Sequence, residues 1–237
     1  MTVPLAFVEV SVGRAARSTL SSIPLATAGP DTVLTLELAP RQTVAVLGDE
    51  TSGVDTLGGL ALGLELPALG KVLTLGTEIG RLERSVQLAF RRRVGYLPAD
   101  DGLMQNLSLR DNIRLPLRFG SDFRAREIEG RVDVIMAQLR LGRVADLRPA
   151  QANAEDRRRA ALARALAFDP ELVVLEEPFD GLTDRAAAEL LEAARGGETA
   201  EGARRTVFLT GPDLPSLIRP RVDRTYRLTR GLVEAVR

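Results

Sequence analysis

Two short stretches of the chain are apolar with almost no alternation: Thr43-Val44-Ala45-Val46-Leu47 and Leu172-Val173-Val174-Leu175. A strand with one wet face alternates, because successive side chains point to opposite sides. An unbroken run belongs to a strand covered on both faces. The first run leads into a helix pattern from about Thr56 to Leu66, and the second into one from Thr183 to Arg195. A further helix pattern, Glu155 to Phe168, precedes the second run, and another strand follows at Thr206 to Thr210. Buried strands alternating with helices predict a mostly parallel sheet layered between helices.

The rest of the chain decorates that core. Leu5 to Val12 and Thr32 to Leu38 alternate and predict an antiparallel pair; Gly70 to Gly76 reads as an edge strand and Tyr226 to Val236 as a terminal hairpin. Charged amphipathic patterns dominate the middle, most clearly Ala125 to Leu141, where Ile128, Val132, Ile135, Met136 and Leu139 recur at helical spacing. Segment 196–204 reads as a polar loop. The expected organisation is one domain over 1–237. An α/β core with an antiparallel β part occupies 1–83 and 155–237, and an inserted α-helical subdomain occupies 84–154.

Composition removes several chemistries. The chain of 237 residues has no His and no Cys, which excludes thiol nucleophiles, disulfides, zinc fingers and any histidine base. Lys71 is the only lysine, so any mechanism that needs an amine must use it. Basic and acidic residues number 32 each, and the zero net charge argues against a nucleic-acid binder. Aromatics make up 4%, so the core must be aliphatic. The N-terminus shows no basic region followed by an apolar stretch, and the run Leu57 to Leu64 is too short to span a bilayer.

The first buried run passes directly into Gly48-Asp49-Glu50-Thr51-Ser52-Gly53-Val54-Asp55-Thr56. Strand, glycine-bounded loop and helix are the setting of a phosphate-binding loop, whose pattern is G-x-x-x-x-G-K-[ST]. Both glycines are in place. Val54 stands where the lysine belongs, and Asp55 where a metal-binding hydroxyl belongs. Two glycines alone also fit a plain strand-to-helix turn with Asp55 as the helix cap.

The second half is more specific. Ala163-Arg164-Ala165-Leu166-Ala167, then Asp169-Pro170-Glu171-Leu172-Val173-Val174-Leu175-Glu176-Glu177-Pro178-Phe179-Asp180-Gly181-Leu182, resembles the Walker B region of ATP-binding-cassette (ABC) ATPases, which runs ARAL…P.LLLLDEPF.ALD. Arg92 to Leu97, and Gly102-Leu103 through Leu107 to Leu117, are similar to the stretches that flank the family's Q-loop, so the resemblance covers nearly the whole chain. Arg157 to Leu166 with Glu177-Pro178-Phe179 look most like the ATPase of lipid-asymmetry (Mla/Mce-type) phospholipid transporters. The resemblance implies the P-loop NTPase fold of ABC ATPase type, ATP and Mg²⁺ as cofactors, and an integral membrane permease as partner. It also implies a homo- or heterodimer with another cassette subunit, and a place on the cytoplasmic face of the cell membrane, held by the permease.

Position by position, the resemblance exposes substitutions. Glu176 replaces the Walker B aspartate that holds Mg²⁺, and Mg²⁺ is strict about ligand geometry. Glu177 keeps the catalytic-base position. The signature segment reads Ala152-Asn153-Ala154-Glu155-Asp156, without glycines. The Q-loop position is Ala99, the switch-histidine position Gly211 and the D-loop aspartate position Thr183. No aromatic for adenine stacking lies near 13–17. Asp49, Glu50 and Asp55 crowd acids around a loop meant for a triphosphate. The pair Glu176-Glu177 also reads as strand-end carboxylates that are solvated or tied to an Arg.

These losses predict weak or absent nucleotide binding and a cassette acting as structural or regulatory partner of a permease. The alternative is an atypical ATPase that energises transport with Glu177 as base. A nucleic-acid-associated cassette has the triplets Arg91–Arg93 and Arg157–Arg159 in its favour and the zero net charge against it. Such triplets are expected to be solvated faces paired with Asp and Glu.

Overall fold

The structure, a computed structural model, describes residues 2–12, 32–49, 51–199, 202–229 and 232–236. The elements in order are β1 (Leu5–Val12), β2 (Thr32–Leu38), β3 (Thr43–Leu47), α1 (Leu57–Ala61), β4 (Lys71–Thr74), α2 (Arg84–Arg91), β5 (Val94–Leu97) and α3 (Leu109–Gly120). There follow α4 (Ala125–Gln138), α5 (Ala154–Ala165), β6 (Leu172–Glu176), α6 (Asp184–Arg195), β7 (Glu198–Thr199), β8 (Gly202–Ala203), β9 (Thr206–Gly211), β10 (Arg224–Thr229) and β11 (Leu232–Val236).

A six-stranded sheet has the order β11-β10-β3-β9-β6-β5. Its strands run parallel from β10 to β5, and β11 closes one edge antiparallel. The two unbroken apolar runs are its interior strands β3 and β6, as their composition requires. Their alternate side chains feed two separate cores. Ala45, Leu47, Val173 and Leu175 join the helices on one face. Val44, Val46, Leu172 and Val174 face the second sheet, the antiparallel β2-β1-β4, together with α1. Phe7 of β1 meets Phe208 of β9 across that second core at 5.6 Å between ring centroids.

The amphipathic stretch in the middle forms α4, and Ile128, Val132, Ile135 and Met136 are its buried face. Ser108 caps α3 by accepting a hydrogen bond from the Asp111 amide. Arg114 of α3 grips Glu129 of α4 with two bonds of 2.6 and 2.9 Å.

The observed boundaries correct four expectations. Within the stretch expected to be helical, Val94–Leu97 forms β5, the edge strand of the sheet beside β6. Only four residues long and set between Arg91–Arg93 and Asp100-Asp101, its apolar run is masked by charge. Gly95 lets β5 lie against α5, since a Cβ there would stand 2.7 Å from the Ala165 carbonyl oxygen. The first helix ends at Ala61 instead of Leu66, where Gly63 turns the chain at φ 61°. The polar loop at 196–204 holds a small antiparallel ribbon, β7-β8. Finally, Arg158 and Arg159 are buried rather than solvated, though each is ion-paired: Arg158 to Asp101, Arg159 to Glu155 and Glu189.

Candidate functional site

The carboxyl ends of β3, β6 and β9 bring the glycine-bounded loop, the two glutamates and Gly211 together. Gly48 donates its amide to the Gly211 carbonyl at 3.0 Å, and Glu177 donates its own to Thr210 at 2.8 Å. Gly211 lies against Glu177, so that a Cβ there would stand 3.5 Å from Glu177 Cγ. Glu177 itself is exposed and holds a left-handed φ of 44°.

The loop bonds several of its own donors. The Asp49 carboxylate accepts from the Thr51 amide at 2.8 Å and from the Thr51 hydroxyl at 2.7 Å. The Asp49 carbonyl accepts from the Ser52 amide at 3.0 Å and from the Ser52 hydroxyl at 2.6 Å. Ser52 Oγ in turn accepts from the Val54 amide at 3.3 Å. The Gly53 carbonyl takes both the amide and the hydroxyl of Thr56, at 3.1 and 2.7 Å. Gly48 is required here: a side chain would overlap Ser52 Oγ and stand 2.9 Å from the Leu228 carbonyl oxygen. Gly53 supplies the left-handed residue, φ 81°, that opens the helical turn. Val54 is buried in the second core, 6% exposed.

Asp55 is exposed and makes no side-chain cap, so the helix-cap expectation fails; the turn is started by Gly53 instead. Lys71 lies on β4 of the antiparallel sheet, paired with Val8. Glu50 and the adenine-side segment 13–17 lie outside the described residues.

Glu176 is half-buried. Tyr96 donates its hydroxyl to Glu176 Oε2 at 2.8 Å, and the Ala99 backbone lies close enough to the same carboxylate to lower its pKa. Burial raises the pKa of Glu176, and the nearby charges of Asp55 and Asp100 push in the same direction, while the Tyr96 hydroxyl and the Ala99 backbone pull it down. The expectation of a solvated pair, or of a tie to an Arg, therefore does not hold for Glu176. Its other oxygen is seated on α1, where a Cβ on Gly58 would overlap Oε1.

The signature positions do not join this group. Asn153 caps α5 by accepting from the Asp156 amide at 2.8 Å, Arg157 donates to the Ala152 carbonyl at 2.8 Å, and Glu155 pairs with Arg159. Ala154 lies against Gly181. Thr183 caps α6, accepting from the Ala186 amide. Tyr96, Gly58 and Ser52 were not singled out from the sequence. Tyr96 is brought to Glu176 by the pairing of β5 with β6, which sets it beside Val174 and which no sequence pattern shows. The other two act through contacts that no spacing announces.

Residues 32–180 match the family described as ABC transporter. Over 214 residues the chain is 33% identical to the lipoprotein-releasing system ATP-binding protein LolD of Pseudomonas syringae pv. tomato, covering 87% of this chain and 92% of that protein. Over 155 residues it is 35% identical to the sulfate/thiosulfate import ATP-binding protein CysA of Thermosynechococcus vestitus, covering 65% of this chain and 44% of the relative. The fold is that of the ATP-binding cassette MJ0796, solved as a dimer in a post-hydrolysis state bound to ADP and Pi. The TM-score is 0.80 at 20% identity, over 98% of this chain and 99% of that one.

Proposed function

The chain belongs to the ATP-binding family of ABC transporters, and on that premise we propose that it is a cassette subunit that serves a membrane permease as structural or regulatory partner without hydrolysing ATP. The observation that carries this reading is the self-bonded loop. A phosphate-binding loop works by aiming free amides at the anion. Here the amides of Thr51, Ser52 and Val54 are taken by Asp49 and Ser52, so a triphosphate would have to displace them and approach the Asp49 carboxylate. No lysine stands at Val54 to offset that charge.

The family's Mg²⁺ and ATP fit these residues poorly. The carboxylate at the metal position, Glu176, is turned onto Gly58 and held by Tyr96. Glu177 keeps the position of the base, but a base without an anchored substrate supplies little rate.

The permease would dock where the helical part meets the sheet. The supporting feature is a groove of about 740 Å³ lined by Arg92, Phe123 and Phe168, with Phe119, 77% exposed, at the end of α3. Among the described residues, no helix is long and apolar enough to cross a membrane. Attachment through the permease on the cytoplasmic face follows from the family, as does pairing with a second cassette. The relatives above are named for lipoprotein release and for sulfate/thiosulfate import, so the lipid-asymmetry resemblance has no support from them. We assign the choice of cargo to the permease.

Calorimetric titration with MgATP to millimolar concentration tests the reading, and no binding heat is expected. Micromolar binding would remove the support the loop gives this reading, and turnover with the permease that Glu177→Gln abolishes would establish an atypical ATPase instead.

A further inference from the structure

Residues 98–102 are the link by which the chain leaves β5 of the sheet and enters the helical part, and α5 holds this link from outside. Arg158 Nη1 donates to the carbonyls of Pro98 and Ala99 at 3.3 and 3.1 Å. The same nitrogen pairs with Asp101 Oδ1 at 3.1 Å. Arg164, two turns along α5, donates to the carbonyl of Asp101 at 2.9 Å and to that of Gly102. Arg157 adds a looser pair to Asp101 Oδ2 at 3.6 Å. Four of the five carbonyls in the link are therefore taken by guanidinium groups of another element.

We propose that Arg158 and Arg164 clamp this link, so that the sheet and the helical part are held in one relative orientation. As regulation of the same site, the clamp rests on the non-hydrolysing reading: a cassette that does not cycle gains from a fixed helical part.

Three features distinguish the clamp from ordinary surface pairing. The side chains of Arg158 and Asp101 are 7% and 15% exposed, and taking one charge of such a pair away leaves the other stranded in a poorly solvated place. Charge-assisted bonds to carbonyls are the strong kind, and a guanidinium can serve several acceptors from one fixed fork. The link is also shaped to receive them. Asp101 and Gly102 both hold left-handed φ, 63° and 58°. A Cβ on Gly102 would press on Pro98 Cγ at 2.9 Å and on Arg164 Nη2 at 3.0 Å. The amide of Asp101 closes the turn on Pro98, and that of Gly102 on the Asp100 carboxylate. Helix α5 meanwhile packs on both α3 and β5, so that a swing of the helical part away from the sheet would have to break the clamp.

Hydrogen exchange read by mass spectrometry on the full chain tests the proposal. In the wild type, exchange over 98–104 is expected to be slow and identical with and without millimolar MgATP. Arg158→Gln is expected to raise it about tenfold while β3 and β9 stay protected. Asp101→Asn is the second variant, since Asn tolerates the left-handed φ while removing the charge. A local rise in either variant supports the clamp. No rise in both, or a rise equal to that in β3 and β9 in both, overturns it, the latter by assigning the groups to global stability. If MgATP is turned over and exchange over 98–104 stays unchanged, the non-hydrolysing reading falls and the clamp stands. A change in that segment on adding MgATP overturns the clamp as well.

Discussion

Glu176 is one methylene longer than the aspartate expected at its place, and its surroundings account for the length. The longer side chain reaches α1, and Gly58 leaves the space it occupies. Gly58→Ala is expected to destabilise the protein by about 1–3 kcal/mol in denaturant titration, and Glu176→Asp to relieve most of that loss in the double variant. The acid also makes stability depend on pH. Its pKa is raised in the fold, so the native state retains a proton that the unfolded chain releases. That contribution is full below the unfolded value of 4.5 and is lost as pH rises through the folded value. Glu176→Gln, which cannot ionise, is expected to melt at higher temperature relative to the wild type near pH 8 than near pH 4. In the loop, Val54→Lys would bury an ammonium at a position 6% exposed, at a cost of about 3 kcal/mol, and is expected to leave MgATP binding undetected by calorimetry. At this scale the substitutions were legible in the sequence, because a motif fixes which residue should stand where. Their compensation was not: Asp49 reads as a repelling acid until its bond to the Thr51 amide is seen.

Elements were legible in proportion to the strength of their pattern. Helix α4 carries a full amphipathic period and lies where that period predicts. Strand β5 is four residues among charges, and α1 is cut short by a glycine, so neither announced its true role. Pairing between elements was also beyond pattern. Arg114 and Glu129 join α3 to α4, and the guanidinium holds the Glu129 carboxyl below its ordinary pKa through their hydrogen bond. A depressed carboxylate pKa stabilises the fold above the unfolded value, and that gain is lost as pH falls through the folded value. Arg114→Gln is therefore expected to cost about 0.5–1 kcal/mol at neutral pH and less in acid or high salt, read by urea titration.

For the molecule as a whole, the balance of charge has a structural origin. Much of the arginine is spent internally: Arg91 donates to the carbonyls of Leu62 and Gly63, Arg158 and Arg164 hold the link after β5, and Arg159 spans α5 and α6. The chain is accordingly expected to show no salt-dependent retention of labelled DNA or RNA in fluorescence anisotropy at low ionic strength. The sheet order has a further consequence, for the chain as it is made. Strand β3 is made well before either of its neighbours, β9 and β10, which follow it far along the sequence. Until they arrive, the most apolar strand of the sheet has two open edges, a template for pairing with other chains. Even the turn at Gly48 waits for β10, since the Leu228 carbonyl is part of its wall. Loss of β10 would therefore act far from its own place in the sequence, as aggregation seeded at β3.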